Sequence, residues 1–390
     1  SRPPLAAASA LTALLLAMAA PSSPAQGTPD YELPPIEYSA RTATNRVSRT
    51  LDTLLHARPP GATGTNLLRW LLNLYEVPVE SQVLVFSKTS LQRDGIHPRH
   101  PRAVYFNDDL YLGWVPGGLL EVAVTDPDLG LAFYSLDGRQ ASKALRLHRD
   151  GDCLSCHGGG MTRNWPGLVV RSVFPDSGGE PITSAGGFLV GHDTPLEQRW
   201  GGWYVTGHHG AARHMGNGFA QPPVGAAPAA MDREAGANLT SLERFFPAGM
   251  HLRGDSDIVA LMVFEHQVMM HNRLTEGALR VRKWSHYQRQ LQKELGEPVT
   301  EEPTGTALRV VTGETERILD ALLFCEEAPL PEGGLRGAGD FERSFLARRK
   351  PDAANRSLRD FDLRTRLFTH RCSYMIYSEA FASLPRELHR

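Results

Sequence analysis

Two cysteines separated by two residues and followed at once by a histidine, Cys153-Leu154-Ser155-Cys156-His157, form the most chemically specific group in the chain. Thiols at that spacing stand over one edge of a porphyrin at the separation of its two vinyl groups. Thioether bonds formed there swing the next imidazole under the iron. The pentapeptide therefore predicts one covalently attached haem c, with Cys153 and Cys156 as the thioether cysteines and His157 as the proximal iron ligand. Other uses of the pair fit less well. A structural zinc site wants two further Cys or His ligands at short spacing, and no second Cys-x-x-Cys occurs. A thioredoxin-like redox pair closes a strand and opens a helix in a βαβ unit, whereas Gly151, Gly158, Gly159 and Gly160 surround this motif. A plain disulfide or a chance occurrence is the remaining alternative.

What favours haem over that alternative lies at the other end of the chain. Arg2 precedes an apolar run from Leu5 to Ala20, and Pro21 to Gln26 follow with small residues Ser23 and Ala25. Residues 1–25 read as a secretory signal peptide. Export delivers a chain to the compartment where haem is attached, so the two features reinforce each other. The run is shorter than the roughly 20 apolar residues that cross a bilayer. A periplasmic or secreted mature protein without a stable membrane span is expected, and the Ser1 start reads as processed or incomplete.

On the motif Cys153 to His157 the chain resembles the c-type cytochromes. That resemblance implies thioether bonds at Cys153 and Cys156 and a proximal His157. It covers a small part of the sequence, and the remainder does not look like the compact three-helix cytochrome module. The wider pattern is similar to exported bacterial proteins that carry one haem motif inside a larger domain, a likeness that implies the haem and no particular reaction.

The elements that must position the motif are legible in outline. Leu67, Leu68, Leu71, Leu72 and Leu74 predict a helix over Asn66 to Tyr75, and a second is expected over Arg41 to Ala57. Short runs rich in Val, Tyr, Phe and Leu predict strands at Gln82 to Ser87, Ala103 to Phe106, Leu110 to Val115, Leu119 to Thr125 and Gly130 to Ser135. The turns between the later ones are of hairpin length, so an antiparallel meander is expected. Helices are predicted over Ser256 to Leu295, with a break at Gly277, over Thr306 to Cys325, and within Leu358 to Leu384. The fold class is thus α+β: an antiparallel meander and a helical C-terminal part around an irregular Gly/Trp/His-rich haem-binding region. In regions, this gives N-terminal helices and strands over 26–149, haem binding over 150–221, a Pro/Ala-rich loop over 222–236 and helices over 237–390. Cys325 and Cys372 are expected to pair as a disulfide, as exported chains allow.

The second axial position of the iron separates electron transfer from chemistry on bound ligands. Two distal candidates stand out. Met215 lies in a loop with His208, His209 and His214, and His266 lies on the buried helical stretch beside Glu265 and Arg273. The competing reading of the second group is that Glu265, His266 and Asn272 satisfy a structural hydrogen-bond network. Arg163, Trp165, Arg171, Trp200 and Trp203 flank the motif and suit haem propionates or the ring face.

With 41 basic and 43 acidic side chains the chain has no basic field for nucleic acid. Nucleophile-elbow, phosphate-loop, dinucleotide and zincin motifs do not occur. The first functional expectation is a mono-haem electron-transfer protein with a redox partner protein. The alternative is a haem-dependent peroxidase or oxygenase with an open distal iron and a small-molecule oxidant. No catalytic residue is assigned from the sequence.

Overall fold

The computed structural model of the chain describes residues 27–56, 59, 61–139, 145, 147–222 and 229–389. The expected signal peptide and part of the Pro/Ala-rich loop fall outside these residues. Two short helices, α1 (Arg46–Arg49) and α2 (Leu51–His56), stand where one was expected, and α3 spans Gly64–Leu74. The meander follows as β1 (Val83–Val85), β2 (Arg102–Phe106), β3 (Leu110–Trp114), β4 (Leu120–Asp126), β5 (Gly130–Leu136) and β6 (Leu147–Arg149). The motif folds as a 3-10 turn, Gly151–Cys153, running into α4 (Leu154–His157). Beyond it come a small hairpin, β7 (Arg171–Val173) with β8 (Gly187–Leu189), and β9 (Trp203–Tyr204). The last long elements are α5 (Ile258–Glu294) and α6 (Gly305–Leu322). The architecture is α+β, with every pairing in the main sheet antiparallel.

Seven strands form that sheet in the order β6-β5-β4-β3-β2-β1-β9. Its hairpins sit where short polar side chains replace the ladder with local bonds. Asn107 Oδ1 accepts from the backbone N–H of Asp109 and Leu110, and Asp126 Oδ1 accepts from those of Asp128 and Leu129. The register sets Val104 opposite Gly113 and Gly113 opposite Glu121, so all three share one face.

Both faces of the sheet are covered. One face, with Leu84, Tyr105, Leu112, Val122 and Tyr134, packs against the Leu67, Leu68, Leu71 and Leu72 stripe of α3. The other, with Val85, Val104, Tyr111, Ala123 and Phe133, packs beneath α5 and the C-terminal segments. Helix α5 is about 55 Å long at 1.5 Å per residue, and Asp257 caps it by accepting from the N–H of Val259 and Ala260.

Two expectations are corrected and a third is narrowed. Helix α5 continues through Gly277, which serves close packing: a Cβ there would lie 2.8 Å from Ile318 Cδ1 of α6. The helix expected within Leu358 to Leu384 is present but confined to the four residues Glu379–Ala382, with a 3-10 turn, Tyr374–Tyr377, before it. There Asp360 accepts from Ser357 N–H, and Asp362 accepts from Arg364 and Thr365 N–H, so local side-chain bonds displace the helical ladder. Cys325 and Cys372 are both free thiols.

Gly130 opens β5 at φ +75°, and a Cβ there would run into Thr275 of α5. Gly130→Ala adds a left-handed backbone penalty to an overpacked sheet–helix contact. It is expected to lower stability by about 2–4 kcal/mol, read as a lower urea midpoint at unchanged slope.

Candidate functional site

The cysteine–histidine turn is fixed at its start by Asp150, whose side chain accepts from Asp152 N–H, while Ser155 Oγ donates to the carbonyl of Asp152 at 2.7 Å. Cys153, Cys156 and His157 all line one cavity, of about 150 Å³, that opens to solvent. Its floor is the face of the sheet that carries Val85, Val104, Tyr111, Gly113, Glu121, Ala123 and Phe133. Phe264 and Val268 of α5 line it from the helical side, and Leu168, Val169, Arg171 and Trp203 complete its wall. An apolar cavity with a few convergent polar groups has the lining expected of a binding site.

His157 is held in one state. Its Nδ1 lies 2.8 Å from the carbonyl of Gly167. A carbonyl only accepts, so Nδ1 carries the proton and Nε2 carries the lone pair. Burial holds the ring below the ordinary imidazole pKa, with the Gly167 carbonyl pulling the other way. The ring packs on Phe133 with centroids 4.7 Å apart. The loop that supplies Gly167 is itself clamped to α5, since Asn272 Oδ1 accepts from Leu168 N–H at 2.7 Å and its Nδ2 donates to the Leu168 carbonyl at 2.8 Å. Burial, reinforced by the charges of Asp150 and Glu121, pushes the Cys153 thiol up to about 12. It is therefore a neutral S–H at physiological pH.

Across the floor runs a polar pair that the sequence reading did not single out. Arg102 of β2 reaches over β3 to Glu121 of β4, with Nη2 2.5 Å from Oε2. Gly113 on β3 makes that crossing possible, because a Cβ there would collide with the guanidinium. Arg102 Nε is buried with no hydrogen-bond partner. The signal for this pair was available in the sequence as two charged residues within otherwise apolar strands.

The other sequence candidates divide clearly. Arg171 and Trp203 line the cavity, and Trp203 Nε1 donates to the Arg171 carbonyl at 2.8 Å. Arg163 pairs with Glu276 at 3.0 Å. Trp165 and Trp200 are buried in packed cores. Met215 does not line the cavity: it is fully buried near Ser172, whose Oγ lies 3.5 Å from its sulfur. His266 does not line it either. Its Nδ1 lies 2.9 Å from His192 Nδ1, its Nε2 2.7 Å from Ser373 Oγ, and its ring stacks on Phe324 at 4.2 Å. Glu265 pairs with Arg199 at 2.9 Å in a fully buried ion pair. Glu265, His266 and Asn272 thus satisfy neighbouring loops rather than one another. Met215 and His266 therefore each pack away from the cavity that His157 enters. Met161 is the thioether among the cavity-lining residues, and its 36% exposure sets it at the mouth.

A second buried polar cluster touches the cavity through Tyr111. Its hydroxyl lies 2.7 Å from His271 Nδ1 and accepts from Gln267 Nε2 at 2.9 Å, and Gln267 Oε1 accepts from Tyr374 at 2.8 Å. Among the described residues, no group of three or more His, Cys, Asp or Glu side chains is arranged to hold a metal ion by itself, and no helix is long and apolar enough to cross a membrane. Compared with protein-family models, curated proteins and solved structures, the chain matches none.

Burial lowers the pKa of His192 and His251 to about 4 and of His214 and His271 to about 3, and places His266 well below its ordinary value. The unfolded chain, with imidazoles near 6.5, binds more protons across that interval, so these groups stabilise the fold fully above pH 6.5 and progressively less as pH falls towards 4. Burial raises Glu265 and Asp109 to about 7, and these act in the opposite sense. His97, His157 and His209 are lowered as well and Asp257 and Glu327 raised, so eight imidazoles outnumber four carboxyls. The urea midpoint of the haem-free protein is expected to fall on acidification from pH 6.5 to pH 4, and a midpoint that rises would contradict this balance.

Proposed function

We propose that the protein is an exported oxidoreductase carrying one haem c, bound through thioethers at Cys153 and Cys156 and through its iron to His157, with the opposite axial position open to a small-molecule oxidant. The observation that carries this reading is the cavity lining. The three motif residues face one mostly apolar space, and His157 is the only imidazole among the residues that line it. Met215 and His266, the expected strong distal ligands, are bound up elsewhere.

The residues present fit the group. A protonated Nδ1 held by a backbone carbonyl leaves Nε2 as the free donor a metal requires. Cys153 and Cys156 are both free cysteines, the reduced state that thioether attachment to vinyl groups requires. The unpartnered Nε of Arg102, with Arg171 on the same cavity, supplies donors for the acidic edge of a macrocycle, where a guanidinium suits a carboxylate. When bound, the haem supplies an iron that exchanges electrons and takes up a small ligand. The chain supplies the fixed imidazole, the apolar wall of Val85, Val104, Leu168 and Phe264 that keeps water away, and the Arg102–Glu121 pair at the floor. Electrons would come from a redox partner protein, with hydroperoxide or oxygen as the oxidant class.

One observation favours simple electron carriage instead: Met161, a thioether at the mouth of the same cavity. The two readings separate in one experiment. Protein matured in a host able to attach haem c is expected to retain haem on a denaturing gel, to be high-spin in the ferric state, and to shift its reduced spectrum on adding carbon monoxide. A low-spin spectrum indifferent to carbon monoxide, which becomes responsive in Met161→Ala, would establish the carrier. A His157→Ala variant is expected to keep the thioether-bound haem and lose the wild-type ligand-field bands.

A further inference from the structure

On the proposed haem reading, we infer that Tyr111 is an oxidisable side chain of the site, giving up an electron towards the haem cavity while its phenolic proton passes to His271. Tyr111 lines the cavity from β3. Its hydroxyl sits between two side-chain partners, Gln267 and His271. Gln267 Nε2 lies 2.6 Å from the Asn107 carbonyl, which only accepts, so this atom is the amide nitrogen, and its other hydrogen goes to the Tyr111 oxygen at 2.9 Å. The Tyr111 oxygen accepts there, and in this proposal its own proton lies along the 2.7 Å contact, donated to the lone pair on His271 Nδ1. Tyr111 and His271 are both buried, and Phe264 stands edge-on to the Tyr111 ring with centroids 5.8 Å apart.

This geometry has a redox consequence. Burial holds the phenol well above its ordinary pKa, so a tyrosinate does not form, and an electron leaves the ring only if the proton leaves with it. Losing an electron turns the phenol into a very strong acid. His271 accepts from it although burial holds that ring at about 3, and the Asp108 backbone carbonyl favours the protonated ring. The Gln267 amide keeps donating to the oxygen throughout.

The step balances with a hydroperoxide as oxidant. The O–O bond breaks, and two electrons with two protons from solvent convert the hydroperoxide into an alcohol, or water, and one further water. Tyr111 would supply one of these electrons, becoming a neutral phenoxyl radical as its O–H bond breaks and the proton forms a bond to His271 Nδ1, and a bound haem would supply the other. A one-electron reductant later restores the ring, and the proton returns over the same contact. Tyr111 is thereby a store of one oxidising equivalent in the cavity wall.

The test is electron paramagnetic resonance on haem-loaded full-length protein, freeze-quenched after one equivalent of hydrogen peroxide, with haem attachment checked on a denaturing gel and carbon monoxide binding checked in the same preparation. The expected result is an organic radical whose line narrows when the protein is grown on ring-deuterated tyrosine. It should be lost in Tyr111→Phe, which keeps the aromatic packing and the resting ferric spectrum. His271→Ala is expected to slow radical formation about tenfold or more, the scale of a positioned proton acceptor. A radical unchanged by deuterated tyrosine, or of equal yield in Tyr111→Phe, overturns the inference while leaving the haem reading intact. So does a carbon-monoxide-binding haem that yields no radical. Absence of covalent haem overturns the cofactor reading and this inference with it.

Discussion

A single hydrogen bond, from His157 Nδ1 to the carbonyl of Gly167, governs what the site can do. It decides which nitrogen carries the proton and therefore which is free to ligate, and it turns the ring onto Phe133. The carbonyl can hold that position because the next residue, Leu168, is clamped at both its N–H and its C=O by Asn272 of α5. The Gly167-Leu168 step is thus held from the motif by His157 and from α5 by Asn272, through side-chain-to-backbone bonds. Replacing Asn272 by an apolar residue would leave two backbone groups short of partners and release the carbonyl that orients the imidazole.

Helix α5 does more than roof the sheet. Its middle is buried on all sides, yet it carries Glu265, His266, Gln267, His271 and Asn272. Glu265 faces Arg199, His266 faces His192 and Ser373, Gln267 and His271 share Tyr111, with Tyr374 also on Gln267, and Asn272 faces the Leu168 backbone. Buried polar groups are costly unless they are paired, so this stretch tolerates only the one arrangement in which every loop around it is in place. The Glu265–Arg199 pair is worth less as attraction than its disruption would cost, because removing either partner strands a charge in the core. Such a helix specifies the geometry of the segments around it, including the walls of the cavity.

Strand and helix positions were largely legible because the turn chemistry was explicit: Asn107-Asp108-Asp109 and Asp126-Pro127-Asp128 mark hairpins whose side-chain bonds are seen in the structure. The motif turn was legible for the same reason. What was not legible depended on contacts distant in sequence. Met215 and His266 were plausible ligands by type and spacing alone, whereas their distance from the cavity follows from tertiary packing around Ser172 and Phe324. Tyr111 read as one more aromatic strand residue, since its partner His271 lies 160 positions away. The apolar residues from Leu358 to Leu384 suggested a helix, but the closely spaced Asp360, Asp362 and Ser373 favour turns and caps.

All of this converges on whether the turn at 153–157 carries a macrocycle. Mass spectrometry of the tryptic peptide from Asp150 to Arg163, prepared from protein matured in a host competent for haem c attachment, addresses it directly. The structure's site predicts that this peptide carries the mass of one haem on its two cysteines. The same peptide recovered as two free thiols, or as an internal disulfide, would contradict a covalent haem in this cavity.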